Sequence, residues 1–257
     1  MDLRLLTNSC ISGRRKSKKI SSINGRFLKS VPYDKEYKKL SLIPTIIKSA
    51  INKSEEGFIL VKKEDLMAKA FSQKRQISIL FVVDASGSMG VEDLMSKTKG
   101  LVFDILKSAY VRRERVGFIT FRGTKAEIIL PFTKSIATAK ERLKKIKTGG
   151  KTPLSLALKN AIKMIEMESL KEKDTEFILL IFSDGRANIS LSGIDPFEEA
   201  IIFGKKILEK NIKTFIIDTD PTWINYPYAK DLAKIMKARY FKLSDILQGN
   251  IRDIIYS

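Results

Sequence analysis

Residues 77–89 of the chain read ISILFVVDASGSM. Ile77–Val83 is a nearly continuous apolar run, which is typical of a strand that is buried on both faces of a parallel sheet. Asp84 ends that run, and a loop of small and polar residues follows it. A second, largely apolar run, Glu176–Phe182, ends in the same way at Ser183-Asp184-Gly185. The two runs predict central strands whose carboxyl ends lie on one edge of a sheet.

Outward from these runs, strand patterns alternate with helical patterns. The predicted strands are Ile77–Val83, Val116–Phe121, Glu127–Pro131, Glu176–Phe182, Lys213–Asp218 and Arg239–Leu243, and the predicted helices are Asp93–Val111, Ser135–Ile146, Pro153–Met167, Pro196–Lys210, Ala229–Met236 and Ser244–Ile255. Glu127–Pro131 follows a turn at Gly123, which favours antiparallel pairing at an edge. The pattern predicts an α/β fold, a three-layer, doubly wound, mostly parallel sheet with one antiparallel edge strand and an N-terminal extension.

The first 76 residues differ in composition from the rest. Residues 1–76 contain 18 Lys and Arg against 7 Asp and Glu, whereas residues 77–257 contain 30 against 22. We therefore expect a basic extension at 1–76 that packs on or links to the main domain, and an α/β domain at 77–257. The extension is expected to be too polar for a core of its own, with a short helix at Leu42–Ile51.

The net charge of +19 favours acidic partners, although solvated Lys-rich faces account for it equally well. Nucleic acid is not favoured, because basic and aromatic residues do not interleave as they do in RNA-recognition modules. No apolar run is long enough to span a membrane, and the N-terminus lacks the basic-then-apolar order of a signal peptide. With Cys10 as its one cysteine, the chain is expected to be cytoplasmic.

The chain contains no histidine, which excludes histidine-based catalytic triads and histidine-ligated zinc. Any metal must therefore be held by oxygen, which points to Mg²⁺, or to Mn²⁺ or Ca²⁺. Suitable side chains stand in three separated pieces of sequence, each at a predicted strand end or loop. They are Asp84, Ser86 and Ser88 in the first piece, Thr152 in the second and Asp184 in the third. All three pieces are expected at the carboxyl edge of the sheet, where they could share one cation.

The segments DASGSM, GGKTPLSLAL and FSDGRAN resemble the von Willebrand factor A fold, also called the integrin I-like fold. All five positions of its metal-ion-dependent adhesion site, Asp-x-Ser-x-Ser with a distant Thr and a distant Asp, match here. The resemblance implies that Ser86 and Ser88 ligate the metal directly, and Thr152 directly or through water. It further implies that Asp84 and Asp184 act through bridging waters. One coordination position would stay open for a carboxylate from an acidic partner protein.

The same segments, with FRGTKAEIILPFT and the upstream Gly13–Arg15, are similar to the C-terminal region of the magnesium-chelatase D subunit and its cobalt-chelatase relatives. The resemblance implies an adaptor that works with an AAA+ ATPase subunit and a large catalytic subunit to insert a metal into a tetrapyrrole. The AAA+-like module and the acidic, proline-rich linker of that family are not in this sequence. An adaptor between a separate ATPase and a large chelatase subunit is therefore the expectation.

Other functions are compatible with these residues. A general von Willebrand factor A scaffold for a MoxR-like AAA+ ATPase or an RNA–protein complex would use the same metal site without a chelatase role. Catalysis by the chain alone is not favoured, because the sequence offers no nucleophile–base pair. Gly150-Lys151-Thr152 does not complete a phosphate-binding loop, since position 145 is Lys where that motif requires Gly. Lys151 and Arg186 are instead candidate contacts to the partner.

Overall fold

The computed structural model describes residues 18–21, 26–34, 39–51, 59–74, 76–87, 92–146, 148–172, 174–220, 227–248 and 255. Cys10, Gly13–Arg15 and Ser88, which the sequence singles out, lie outside these ranges. The chain divides into two compact units, Met1–Arg75 and Gln76–Ser257. None of the helices in the described ranges has the length and apolar character that a membrane crossing requires.

The smaller unit contains an antiparallel sheet and one helix. Its strands are β1 (Lys18–Ser21), β2 (Arg26–Pro32) and β3 (Met67–Lys74), with β3 in the centre, and its helix is α1 (Leu42–Ile51). A short 3-10 turn, Lys63–Asp65, precedes β3. The helix lies where the sequence predicts one. The three strands are a departure from the expectation, because the sequence pattern predicts none of them.

The larger unit is built on six strands among the described residues. They are β4 (Gln76–Asp84), β5 (Arg115–Arg122), β6 (Lys125–Thr133), β7 (Thr175–Phe182), β8 (Lys213–Asp218) and β9 (Arg239–Lys242). Their order in the sheet is β6-β5-β4-β7-β8-β9, and every neighbouring pair is parallel except the antiparallel edge pair β5–β6. The predicted mostly parallel sheet with one antiparallel edge strand is confirmed.

Helices cover both faces of this sheet. They are α2 (Glu92–Val111), α3 (Ile136–Lys144), α4 (Leu154–Lys171), α5 (Pro196–Glu209), α6 (Tyr228–Ile235) and α7 (Leu243–Gln248). Apolar residues of α2, α3 and α7 form one buried cluster with one face of the sheet, and those of α4, α5 and α6 form a second cluster with the other face. The three-layer prediction is therefore confirmed.

Strand β4 shows why its sequence is apolar at nearly every position. Phe81 and Val83 belong to one cluster, and Leu80 and Val82 belong to the other. All four side chains are buried, because alternate residues of a strand point to opposite faces and both faces are covered by helices. The burial fixes the register of β4 and so determines where its last residue lies.

Helix ends differ slightly from the predictions. The carboxylate of Asp195 accepts hydrogen bonds from the backbone N–H groups of Phe197 and Glu198, as expected of an N-cap. Helix α7 begins at Leu243, one residue before the predicted Ser244, and β9 ends correspondingly earlier. Helix α4 begins at Leu154, directly after Pro153. These shifts of one residue leave the layer order unchanged.

Candidate metal centre

The loop that follows β4 is held by its own backbone. Asp84 accepts a hydrogen bond from the N–H of Ser86 at 2.8 Å, which closes a tight turn around the carboxylate. The N–H of Ala85 bonds the carbonyl of Phe121 at 3.0 Å, so the start of the loop still pairs with β5. Asp84 and Ser86 are both buried. The end of β4 therefore presents a fixed carboxylate and a hydroxyl at the sheet edge.

Three separate segments are hydrogen-bonded to one another at this edge. The N–H of Gly87 bonds the carbonyl of Gly150 at 2.9 Å, and the N–H of Gly149 bonds the carbonyl of Ala85 at 2.8 Å. These bonds join the loop after β4 to the loop that carries Thr152. The Ser183 hydroxyl donates to Asp84 at 3.1 Å and joins the end of β7 to both. The structure thus brings together the segments that carry Asp84, Ser86, Thr152 and Asp184.

Thr152 is positioned by a residue of the loop after β7. Its N–H donates to the side-chain oxygen of Asn188 at 2.6 Å, and its carbonyl accepts from the N–H of Asn188 at 3.2 Å. Thr152 is buried at the start of α4. The backbone contacts with Asn188 therefore fix the Thr152 loop beside the segment that begins at Asp184.

The carboxyl group of Asp84 has an unusual environment. Its pKa is raised to about 7, chiefly because the carboxyl group is buried and in smaller part because the charge of Asp184 is near. Hydrogen bonds from Ser86 and Ser183 act in the opposite direction. The pKa stays above its ordinary value because the desolvation of the charge outweighs these bonds. A positive charge near Asp84 and Asp184 would offset both causes of the rise.

Asp184 and Arg186 are connected both through the backbone and through their side chains. The N–H of Arg186 donates to Asp184 Oδ1 at 2.9 Å, and Arg186 Nε lies 3.5 Å from Asp184 Oδ2. A terminal guanidinium nitrogen of Arg186 lies 3.8 Å from Asp220 Oδ1. Arg186 thus lies beside Asp184, one of the candidate ligands. Lys151, the other candidate contact, is exposed.

Gly185 lies in the tight turn between these two residues. Its φ of +77° is in the left-handed region, and a Cβ atom there would collide with the backbone of Tyr228 and Ala229. No other residue type fits this position without moving the start of α6. Close packing of the Gly185 backbone against α6 therefore fixes the position of the Asp184 loop.

Sequence reasoning missed three polar residues that support this edge. Ser183 contacts Asp84, Asn188 contacts Thr152, and Asp220 contacts Arg186. Asp220 carried a usable signal, because it follows Lys213–Asp218, a predicted strand whose carboxyl end lies on the same edge. The other two stand beside predicted site residues. Only tertiary contacts distinguish them from the remaining polar loop residues.

The donor set suits a hard divalent cation. The candidate side chains offer hydroxyl and carboxylate oxygens, which Mg²⁺ and Mn²⁺ accept as ligands. Asp84 and Asp184 are both buried and close enough for the charge of one to raise the pKa of the other. Across the described ranges, no three acidic or cysteine side chains gather into a metal-binding group. The candidate centre would instead combine two carboxylates with hydroxyl groups.

Comparison with known proteins identifies the family. A family model described as the von Willebrand factor type A domain matches residues 79–186. The magnesium-chelatase 67 kDa subunit of Chlorobaculum parvum is 30% identical over 266 residues, which cover 93% of this chain and 43% of that protein. An uncharacterized protein of Methanocaldococcus jannaschii is 34% identical over 170 residues, which cover 66% of this chain and 97% of that protein. The chain therefore spans less than half the length of the chelatase subunit.

Solved structures show the same fold at low sequence identity. The von Willebrand factor domain of the pilus tip protein Mfa5 from Porphyromonas gingivalis superposes with a TM-score of 0.56 at 11% identity, covering 71% of this chain and 96% of that one. The manganese-loaded TRAP protein of Plasmodium vivax gives a TM-score of 0.52 at 16% identity, and the match covers 68% of this chain and 71% of that one. The chain therefore contains a von Willebrand factor type A domain at residues 79–186, shares the fold of the solved examples, and is homologous to part of the magnesium-chelatase subunits.

Proposed function

We propose that this chain is a Mg²⁺-dependent, protein-binding adaptor of a chelatase-like complex that inserts a metal into a tetrapyrrole. Similarity to magnesium-chelatase subunits over 93% of the chain supports the chelatase context. The observation that carries the binding role is the hydrogen-bonded network at the sheet edge, which joins the segments of Asp84, Thr152 and Asp184. Mn²⁺ and Ca²⁺ have the same preference for oxygen ligands and are the alternative ions.

In this proposal each residue has a defined task. Ser86, Ser88 and Thr152 would hold the cation through their hydroxyl groups, and Asp84 and Asp184 would supply negative charge, directly or through water. A cation held there supplies an open coordination position that a carboxylate oxygen can fill. Ser183 and Asn188 would act as positioning residues, because they form hydrogen bonds with Asp84 and Thr152. The chain itself performs no bond-breaking chemistry.

The proposed partners are an AAA+ ATPase subunit and a large chelatase subunit, one of which presents an acidic side chain. A carboxylate that completes the metal shell gives one strong contact, and the surrounding polar residues determine which protein can present it. Lys151 and Arg186 are suited to this selection, since Lys151 is exposed and Arg186 lies beside Asp184. Their positive charge would favour acidic partners over basic ones.

Cation binding tests the site directly. Titration of the full chain with Mn²⁺ should give one binding site, and Asp84→Asn should weaken it by about 10- to 100-fold, the effect typical of losing a residue that orients metal ligands. Asn keeps the size of Asp84 and removes a buried charge, so the thermal unfolding midpoint should not fall. Asp104→Asn, at an exposed position of α2, is the control and should leave the affinity unchanged. Equal affinity of Asp84→Asn and the original chain would refute the site.

Partner capture tests the adaptor role. The tagged chain, purified from its source cells, should bring down chelatase subunits in Mg²⁺ and lose them in EDTA. Asp84→Asn should lose the same proteins, and Asp104→Asn should keep them. Capture that survives both EDTA and the Asp84 change would show that the partner is not held through a metal. Recovery of a MoxR-like ATPase without chelatase subunits would contradict the chelatase context while leaving the binding role intact.

A further inference from the structure

Arg186 lies between two carboxylates at the candidate centre. Its Nε is 3.5 Å from Asp184 Oδ2, and one of its terminal nitrogens is 3.8 Å from Asp220 Oδ1. The side chains of Asp184 and Asp220 are only 2% and 6% exposed to solvent, whereas the side chain of Arg186 is 38% exposed. One half-exposed guanidinium group therefore faces two buried acids that come from different strand ends.

The contacts of Arg186 with Asp184 and Asp220 are each longer than a charged hydrogen bond. Arginine and carboxylate groups in a tight, two-pronged pair meet at about 2.7–2.9 Å. At 3.5 and 3.8 Å the attraction of Arg186 is mainly electrostatic and imposes little geometry. The backbone N–H of Arg186 bonds Asp184 independently, so the loop does not need the guanidinium group to hold its shape. Loss of the contact between the guanidinium group and Asp184 would therefore leave the loop in place.

The guanidinium group and a divalent cation would seek the same carboxylate. A cation beside Asp184 repels Arg186, and Asp220 offers Arg186 an alternative acid on the side of β8. We propose that Arg186 is a built-in counter-ion, which neutralises Asp184 in the cation-free protein and shifts toward Asp220 when a divalent cation binds. This inference rests on the proposed function, because it takes Asp184 to be a residue of the cation site.

Two consequences follow for the cation. Arg186 weakens cation binding, because the ion must displace a positive charge from Asp184. Asp220 strengthens it, because the second acid receives the displaced guanidinium group. Arg186 is therefore a positioning residue that adjusts the affinity of the centre.

Mn²⁺ titration of four full-length variants tests the inference. Arg186→Gln removes the charge and should bind Mn²⁺ about tenfold more tightly than the original chain, as expected when one close positive charge is lost. Arg186→Lys keeps the charge and should stay close to the original affinity. Asp220→Asn should bind more weakly. In the double variant with Arg186→Gln, the Asp220 change should lose most of its effect, because the two residues act through one contact.

Thermal unfolding in EDTA provides a second readout. Arg186→Gln should lower the midpoint of the cation-free protein, since Asp184 loses its counter-ion, and saturating Mn²⁺ should restore it. Unchanged or weaker Mn²⁺ binding by Arg186→Gln, with normal binding by the original chain, would overturn the counter-ion role and leave the proposed function standing. An original chain that binds no Mn²⁺ would instead overturn the proposed function and this inference together.

Discussion

Glu199 shows how one buried side chain can hold a loop of the candidate centre. It lies in the first turn of α5, and its carboxylate accepts from the N–H of Leu191 at 2.8 Å and from the N–H and hydroxyl of Ser192 at 2.9 and 2.7 Å. Leu191 and Ser192 belong to the segment that follows Asp184 and Arg186. The Glu199 carboxylate therefore anchors the far end of the loop on which these two residues stand.

The protonation of Glu199 should make stability depend on pH. Burial raises its pKa, but the hydrogen bonds from Ser155, Leu191 and Ser192 outweigh this and hold the pKa at about 2, below its ordinary 4.5. The unfolded chain therefore binds the proton more readily. The stabilisation is fully present above pH 4.5 and is lost as the pH falls toward 2.

Urea unfolding can measure this effect. At pH 7, Glu199→Gln should be about 1–3 kcal/mol less stable than the original chain, the range for hydrogen bonds to a charged group. At pH 3 the difference should be smaller. Glu198→Gln is the matched control, because Glu198 is the exposed neighbour in the same helical turn. A stability difference for Glu199→Gln that is equal at both pH values would contradict the role of the ionised form.

The candidate site could be predicted from sequence only in part. Asp84 and Asp184 are identifiable because they lie at or just after the end of an apolar run, and parallel strands place such ends on one edge. The contacts from Ser183 to Asp84 and from Asn188 to Thr152 could not be predicted. They join residues that are 99 and 36 positions apart, and the local sequence around each residue does not indicate its distant partner.

At the scale of elements, α1 has an inverted distribution of polar and apolar side chains. Thr45 and Ser49 are buried, whereas Ile43 and Ile47 expose 72% and 56% of their surface. Thr45 accounts for the polar inner face, because its hydroxyl accepts from the N–H of Met67 at 2.9 Å and donates to the carbonyl of Ser41 at 2.9 Å. Hydrogen bonding to β3, rather than apolar packing, therefore orients this helix.

The inversion predicts an unusual order of mutational effects. Thr45→Ala leaves the N–H of Met67 without its acceptor and should cost about 1–3 kcal/mol of unfolding free energy. Ile47→Gln changes an exposed side chain and should stay within about 0.5 kcal/mol of the original chain. Chemical denaturation of both variants measures the two values. A larger loss for Ile47→Gln than for Thr45→Ala would mean that the isoleucine face is covered in solution.

The strands of the two units differ in how far sequence predicts them. In the larger unit, burial on both faces produces apolar runs such as ILFVV, which can be identified without knowing their partners. In the smaller unit, β2 exposes most of its residues and β3 alternates apolar residues with Lys and Ser. This sheet forms because β1 and β2 pair with β3, whose residues lie 35 to 56 positions away in the sequence. The contacts that stabilise this sheet join distant parts of the sequence, so a short stretch of sequence does not predict them.

At the scale of the whole molecule, the buried core and the candidate site lie in the same unit. The two large apolar clusters, as far as the chain is described, draw their members from residue 77 onward. All five candidate ligands also fall within Gln76–Ser257. Met1–Arg75 contributes 18 Lys and Arg against 7 Asp and Glu, and its sheet is separate from the six-stranded one. We propose that the larger unit contains everything that folding and cation binding require.

Residues 76–257 produced alone should therefore unfold in one cooperative transition. They should bind Mn²⁺ within about twofold of the full chain at 0.15 M salt, because energetically independent regions change one another's free energies by only a few tenths of a kcal/mol. At low salt the shortened chain should bind more tightly, since it lacks the repulsion of a strongly basic segment that physiological salt screens. Calorimetry and Mn²⁺ titration measure both quantities. If the shortened chain unfolds without cooperativity, or no longer binds Mn²⁺ although it still contains Asp84, the basic segment is an integral part of the domain.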